Sequence, residues 1–124
     1  MKLVIVGSMK NYQKYNDMKV QLEKKGYDVI IPFPDEFYSS EKSAKRKAMR
    51  DFNNHIKKSD AILVANFDKD DKKDYIGANT LMEIGMAYIL NKKIFILNEV
   101  PFYCKEELEA IEVVSLKGDL KNLK

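Results

Sequence analysis

The sequence predicts an α/β fold in which helices cover both faces of a doubly wound, five-stranded parallel sheet. Short apolar segments alternate with longer amphipathic ones, which is typical of strands joined by crossover helices. The apolar segments are hydrophobic at nearly every position, as expected of strands buried on both faces. The 124 residues suit one hydrophobic core, and no repeat, low-complexity segment or linker divides them. We therefore interpret residues 1–124 as a single domain.

The first strand and helix are predicted near the start of the chain. The β-branched run KLVIV (residues 2–6) predicts a buried strand, and Gly7 predicts the tight turn that ends it. From residue 12 to residue 25, apolar side chains recur at roughly helical spacing among lysines and glutamates. Gly26 follows in the position that commonly ends a helix.

The second strand and helix follow the same pattern. YDVIIPFP (residues 27–34) predicts a strand that Pro32 and Pro34 end, because proline cannot donate to the strand ladder. A polar loop leads to a helix predicted over residues 44–58, whose apolar side chains step by four: Ala48, Phe52 and Ile56.

The second half of the chain predicts the remaining elements. DAILVANF (residues 60–67) is an apolar strand followed by a charged loop, and a third helix ends near Asn91, a residue that tolerates a left-handed cap. KIFIL predicts the fourth strand, CKEELEAI a short helix, and EVVSL a short fifth strand.

Right-handed crossovers between these units favour the strand order 2-1-3-4-5, which is the flavodoxin-like order. Such sheets bind ligands beyond the carboxyl ends of the strands, where the strand order reverses. Here that point lies between the first and third strands. We therefore expect a crevice formed by the turn at residues 7–9, the loop at residues 66–79 and the start of the third helix, with Glu83 inside it.

Composition narrows the function classes. The chain is 45% hydrophobic and 33% charged, which is typical of a globular protein, and its apolar runs are too short to span a bilayer. No signal peptide is recognisable, and the single cysteine, Cys104, fits a reducing compartment, so we expect a cytoplasmic protein. The net charge is +3, and the basic cluster at residues 41–50 is interpreted as a solvated helix face rather than a nucleic-acid site.

Several kinds of site are excluded by missing motifs. The sequence has neither the G-x-G-x-x-G of dinucleotide-binding proteins nor the G-x-x-x-x-G-K-[ST] of P-loop proteins. No acids follow the first strand, as a phosphoryl-accepting domain would need. The only histidine, His55, has no metal-ligand spacing around it, so we expect neither a metal nor a cofactor.

Carboxylates are then the main candidates for catalysis. Asp60 opens the third strand and lies at the wrong edge of the sheet, so a structural role is favoured for it. The loop after that strand carries four aspartates, of which Asp74 is closest in sequence to Glu83 and ranks first as a proton donor. Asp51, in the second helix, could face the crevice or the solvent.

Glu83 has two interpretations. In the structural one, Thr80 caps the third helix and Glu83, three residues later, bonds back to the cap, forming a capping box. In the functional one, a carboxylate near a helix N-terminus in apolar surroundings is a nucleophile, which the helix end stabilises as an anion and burial destabilises. The residues leave both open, although the small side chains nearby slightly favour a ligand site: Gly77, Ala78 and Gly85.

Three segments resemble the nucleoside 2-deoxyribosyltransferase-like superfamily: GSM after the first strand, IKKSDAILVANFD, and YIGANTLMEIGMAYILNKKIFIL. This superfamily includes base-exchanging transferases and hydrolases of nucleoside 5′-monophosphates. Its most specific match is the T-x-x-E-x-G-x-A helix. The resemblance implies a flavodoxin-like fold, a nucleoside or nucleotide as substrate, and a homodimer or higher homo-oligomer.

The resemblance also implies roles for individual residues. Glu83 would attack C1′ of the sugar to form a glycosyl ester and displace the base, and Asp74 or Asp51 would supply the proton. The substrate would contact residues in the turn, the loop and the helix starts: Gly7, Ser8, Met9, Tyr12, Asn66, Gly77 and Asn79.

Three departures from the family pattern refine these expectations. Gly77 stands where transferases of the family often carry an aspartate, and Asp51 matches the expected helix aspartate only with a one-residue shift. The chain ends LKNLK, without the terminal aromatic residue that completes some transferase sites, so we expect hydrolysis to exceed base exchange. Gly77 also favours an alternative function, a non-catalytic nucleotide-binding or sensing module with the same fold.

Overall fold

The computed structural model describes residues 1–32 and 41–124. Within these ranges five strands form one sheet: β1 (Lys2–Val6), β2 (Asp28–Ile30), β3 (Ala61–Val64), β4 (Lys93–Ile96) and β5 (Val114–Ser115). The strand order is β2-β1-β3-β4-β5, and all neighbouring strands are parallel. The predicted doubly wound, flavodoxin-like sheet and its strand order are therefore confirmed.

In the described parts of the chain, four α-helices connect or flank these strands: α1 (Tyr12–Lys24), α2 (Lys42–Lys57), α3 (Ala78–Ile89) and α4 (Lys105–Ala110). Short 3₁₀ turns occupy residues 9–11, 102–104 and 120–122. None of the described helices has the length and apolarity needed to cross a membrane.

The two edge strands are shorter than the sequence predicts. β2 pairs with β1 only from Asp28 to Ile30, and β5 pairs with β4 through two residues. Each has one neighbouring strand, so fewer ladder bonds hold its ends. Pro32 lies beyond the end of β2, and the predicted stop at Pro34 lies outside the described residues.

Alternation along the strands builds a core on each face of the sheet. Leu3 and Ile5 of β1 pack in one cluster with buried side chains of α1, including Tyr15 and Leu22. The neighbours of Leu3 and Ile5 along β1 pack in the other cluster with Phe52, Ile84 and other side chains of α2 and α3. Because helices cover both faces, the strands are apolar throughout, as the sequence indicated.

The register of β1 and β3 brings the predicted site segments together. Val6 pairs with Val64, and the Ala65 N–H donates to the Val6 carbonyl oxygen at 2.8 Å. The turn at Gly7 and the loop after β3 therefore leave the sheet side by side. At the opposite edge, the Asp60 carboxylate accepts a hydrogen bond from the backbone N–H of Lys2, which fits a structural role for Asp60.

Candidate active site

A crevice of about 240 Å³ opens at the carboxyl ends of β1 and β3. It is lined by the turn after β1, one side of α2, the loop after β3 and the first turns of α3. Six of the residues named from the sequence line it: Gly7, Ser8, Met9, Gly77, Asn79 and Glu83. The other four named residues are not part of its lining: Tyr12, Asp51, Asn66 and Asp74.

Glu83 is the only carboxylate among the described residues that line the crevice. Glu83 is 7% exposed, and no hydrogen bond or ion pair to its carboxylate is present within residues 1–32 and 41–124. Burial raises the pKa of Glu83 to about 8, since the charged form loses its water without gaining a partner. The stabilisation expected from the helix end is therefore outweighed by desolvation.

The capping box proposed for Thr80 and Glu83 is wrong. The cap of α3 is Gly77, whose backbone is extended (φ −80°, ψ 171°), and the Leu81 N–H donates to the Gly77 carbonyl at 3.0 Å. Gly77 has no side chain that could form a capping hydrogen bond. Thr80 is already a buried residue of the helix, and Glu83 lies in its second turn, too far along to bond back to Gly77. Helix capping thus does not account for a glutamate at this position.

The turn after β1 is held by local hydrogen bonds. The Ser8 hydroxyl accepts from the Lys10 N–H at 3.4 Å and caps the short 3₁₀ turn, while the Ser8 carbonyl accepts from the Asn11 N–H at 3.1 Å. The Tyr15 hydroxyl, which comes from α1, also donates to the Ser8 carbonyl at 2.5 Å. Ser8 therefore both caps the turn and lines the crevice.

Asn66 forms hydrogen bonds that link the ends of two neighbouring strands. Its side-chain amide donates to the Glu99 carbonyl at 2.8 Å, and its Oδ1 accepts from the Asn98 N–H at 2.9 Å. The Asn98 side chain donates in turn to the Asn66 carbonyl at 3.2 Å. These bonds join the end of β3 to the end of β4 and occupy both polar atoms of the Asn66 side chain, which would otherwise be available to a substrate.

The two candidate proton donors lie in different environments. Asp51 is on the outer surface of α2, where its carboxylate forms an ion pair with Lys47 at 2.6 Å. Asp74 has a left-handed backbone (φ 53°), and its N–H donates to the Asp68 carboxylate at 2.8 Å. Partial burial, and then repulsion from Asp68, raises the pKa of Asp74, so its carboxyl group holds a proton more readily than an ordinary aspartate does.

The crevice is also lined by two lysines and a tyrosine that were not predicted from the sequence as site residues. Lys45 comes from α2, and Lys69 comes from the loop after β3, where its ammonium group lies 4.8 Å from the centre of the Tyr75 ring. In the sequence, these lysines belong to charged segments that are typical of solvated surface. Only the folded loop reveals that Lys69 contacts Tyr75.

The Tyr75 ring also has a bearing on Gly77. A Cβ atom at Gly77 would lie 3.3 Å from the Tyr75 hydroxyl oxygen, so the missing side chain lets the ring lie close to the helix start.

Within the described ranges, no cluster of three or more histidine, cysteine, aspartate or glutamate side chains could bind a metal ion.

Comparison with known proteins gives a family match. A family model described as nucleoside 2-deoxyribosyltransferase matches residues 5–112. No curated protein sequence gives a significant match to the chain.

Similar solved structures come from bacteria and a protozoan. A CMP N-glycosidase from Clostridium botulinum is 22% identical, with a TM-score of 0.60 over 94% of this chain and 87% of that one. A 2-deoxyribosyltransferase from Bacillus psychrosaccharolyticus is 18% identical, with a TM-score of 0.60 over 77% of this chain and 71% of that one. A 2-deoxyribosyltransferase from Leishmania mexicana is 21% identical, with a TM-score of 0.55 over 84% and 69%. At these identities the three structures show a shared fold.

Proposed function

This chain belongs to the nucleoside 2-deoxyribosyltransferase family, and from that premise we propose that it breaks the N-glycosidic bond of a nucleoside or nucleotide by covalent catalysis at Glu83. The observation that supports this most strongly is the carboxylate itself. It is buried, lines the crevice at the sheet's switch point, and has no hydrogen-bond or ion-pair partner among the described residues. A buried carboxylate without a structural partner is costly to keep, which favours a functional reason for it.

The proposed reaction has two steps. In the first, an ionised Glu83 oxygen attacks C1′ of the sugar, and the C1′–N bond breaks with its electron pair passing to the base, which takes up a proton. In the second, water or another base attacks C1′, the ester bond breaks, and the Glu83 carboxylate is regenerated. Two displacements at C1′ retain its configuration.

We assign the proton for the departing base to Asp74 in preference to Asp51. The raised pKa of Asp74 suits an acid, and its loop also carries crevice-lining side chains. Asp51 is ion-paired with Lys47 on the outer surface of its helix and does not line the crevice.

We further propose that the substrate carries a 5′-phosphate. Lys45 and Lys69 line the crevice on two different elements, and no second carboxylate among the described lining residues offsets their charge. Ser8 adds a hydroxyl at the same crevice. A doubly charged phosphate would gain ion pairs here that a bare nucleoside cannot form.

A homodimer is also proposed, because α3 exposes large apolar side chains. Ile89 is 75% exposed, and Phe102, in the 3₁₀ turn before α4, is 94% exposed. Three further large apolar residues of α3 are more than one-third exposed: Leu81, Met82 and Tyr88. An apolar surface of this kind is typical of a protein–protein interface. Light scattering should give a molar mass of two chains for the natural protein. The Ile89→Glu variant should give the mass of a single chain.

The experiment that tests the function is an assay for released base. The protein is incubated with ribonucleosides, deoxynucleosides and their 5′-monophosphates, with and without a second free base, and the products are separated by chromatography. Free base appearing only with active protein supports the proposal, and exchanged nucleoside in the second set identifies a transferase. Absence of both across the panel would contradict it.

One observation favours the non-catalytic alternative. Gly77 leaves the crevice without a carboxylate six residues before Glu83. A binding module would hold nucleotides in the crevice and release no base from them. Nucleotide binding without base release, in the same preparation, would therefore favour this alternative.

A further inference from the structure

A fully buried tyrosine hydroxyl lies beneath the turn that lines the crevice. Tyr15 is 0% exposed and packs in the core between α1 and the sheet. Its hydroxyl nevertheless reaches the end of β1 and donates to the Ser8 carbonyl at 2.5 Å. In the sequence, Tyr15 is one of the apolar residues at helical spacing, and packing alone would be served equally well by phenylalanine.

Gly7 and the Tyr15 hydroxyl occupy neighbouring space. A Cβ atom at Gly7 would overlap the Tyr15 hydroxyl oxygen and would lie 3.0 Å from the Ala65 carbonyl oxygen. Glycine at position 7 therefore lets the hydroxyl approach the backbone of the turn closely enough to bond to it. The Tyr15 hydroxyl thus occupies the space that a side chain at position 7 would fill.

The pKa of the Tyr15 hydroxyl depends on other residues of the site. Burial raises the pKa of Tyr15, a hydrogen bond with the Asn11 side chain lowers it, and the charge of Glu83 raises it further. Tyr15 thus stays a neutral donor at all ordinary pH values. The Tyr15 hydroxyl therefore joins α1 to the turn at Ser8 and interacts electrostatically with the Glu83 carboxylate.

We propose that Tyr15 is a positioning residue, whose hydroxyl fixes the Gly7–Ser8 turn so that the turn holds the substrate in line with Glu83. Tyr15 does not line the crevice, so it acts through Ser8. This inference rests on the proposed function, because it assigns Tyr15 to the site where the nucleotide would bind. It adds a buried residue of α1 to the groups that determine affinity.

The first test measures nucleotide binding without turnover. Calorimetry with a deoxynucleoside 5′-monophosphate is performed in a Glu83→Gln background, with and without Tyr15→Phe. Losing the hydrogen bond should weaken binding roughly tenfold. The matched control is Tyr27→Phe, because the Tyr27 hydroxyl also donates to a backbone carbonyl, that of Leu123, at 3.2 Å, but away from the crevice.

The results of this test separate the two proposals. Weaker binding in Tyr15→Phe and unchanged binding in Tyr27→Phe support the positioning role. Equal affinity in Tyr15→Phe and its parent would overturn that role while leaving the proposed function intact. If the parent binds no nucleotide at all, the proposed function fails, and the second test decides whether the Tyr15 contact exists.

The second test is a double-mutant cycle on folding, which needs no substrate. Gly7→Ala should lower the urea midpoint strongly in the natural protein, because the new methyl group overlaps the Tyr15 hydroxyl. In a Tyr15→Phe background the loss should be smaller, although the methyl group still meets the Ala65 carbonyl. Equal losses in both backgrounds would overturn the inference. Should Tyr15→Phe fail to fold, Gly7→Ala alone must still weaken nucleotide binding, and unchanged binding would overturn it.

Discussion

Glu83 lies six residues beyond Gly77, the residue that caps α3, and this spacing decides how its carboxylate behaves. The positive end of a helix acts mainly on groups in its first turn. Glu83 is in the second turn and is 7% exposed, so desolvation dominates and raises its pKa to about 8. At pH 7 only about one tenth of ligand-free molecules would then carry the ionised nucleophile.

The stability of the protein should fall as the pH rises. The ordinary pKa of a glutamate is 4.5, and in the folded protein the pKa of Glu83 is about 8. Between these values the unfolded chain loses the proton while the folded protein keeps it, so the free energy of unfolding decreases up to about pH 8 and then levels off. The total loss is at most about 5 kcal/mol.

Urea unfolding at pH 5 and pH 9 checks this relationship. Glu83→Gln cannot ionise, so its stability relative to the natural protein should improve between the two pH values. Glu23→Gln, at an exposed position of α1, is the control and should show no such improvement. If the difference in stability between Glu83→Gln and the natural protein is the same at both pH values, the pKa of Glu83 is not raised in the folded protein.

The pH dependence of turnover should follow the same group. Because the nucleophile must be ionised, kcat/KM should rise about tenfold per pH unit below pH 8 and level off above it when the substrate's base leaves without protonation, so that no protonated Asp74 is needed. Steady-state rates of base release from pH 5.5 to pH 9 provide the measurement. A rate that instead falls between pH 6 and pH 8 would mean that the protonated form of Glu83 is the active one.

Lys69 should contribute to the recognition of a 5′-phosphate. Replacing it with glutamine should weaken binding of a deoxynucleoside 5′-monophosphate roughly tenfold and leave binding of the bare nucleoside nearly unchanged. Lys72 is the matched control, because its ammonium group lies 5.5 Å from the centre of the Tyr75 ring but does not line the crevice. Equal effects of the two substitutions would indicate only a general loss of positive charge.

Asp74 and Asp51 should differ in their effect on turnover. Asp74→Asn should lower kcat by about a hundredfold if Asp74 protonates the departing base. Asp51→Asn should change kcat little, since it removes only a surface ion pair with Lys47. Rates on a substrate whose base leaves without protonation separate the roles further, because such a substrate should restore the Asp74→Asn variant. Unaltered kcat in Asp74→Asn would exclude it as the acid.

The order of the sheet and the place of the crevice could be predicted because they depend on local patterns and general rules. Apolar runs mark buried strands, and the right-handed crossover rule then limits the strand order. From that order alone, Gly7 and Glu83 fall at the same switch point, as the structure confirms.

The start of α3 could not be predicted, because a distant contact determines it. The Tyr103 hydroxyl accepts from the Ile76 N–H at 2.9 Å and donates to the Ile76 carbonyl, so the backbone is held just before Gly77. Local sequence allowed a cap at Thr80, and no local signal reveals a tyrosine 27 residues away. The hydrogen bonds of the Asn66 side chain could not be predicted for the same reason, since their partners follow β4.

Covalent catalysis at Glu83 is tested most directly by comparing Glu83→Gln with the natural protein on one substrate that the base-release assay has identified. Glutamine has nearly the same shape as a protonated glutamate, so the variant should fold and bind the nucleotide. A neutral amide cannot form the glycosyl ester, so base release should fall by at least about a thousandfold. Unfolding curves and nucleotide affinity, measured on the same two proteins, control for structural damage. Retained base release in a folded Glu83→Gln protein would contradict the assignment of Glu83 as the nucleophile.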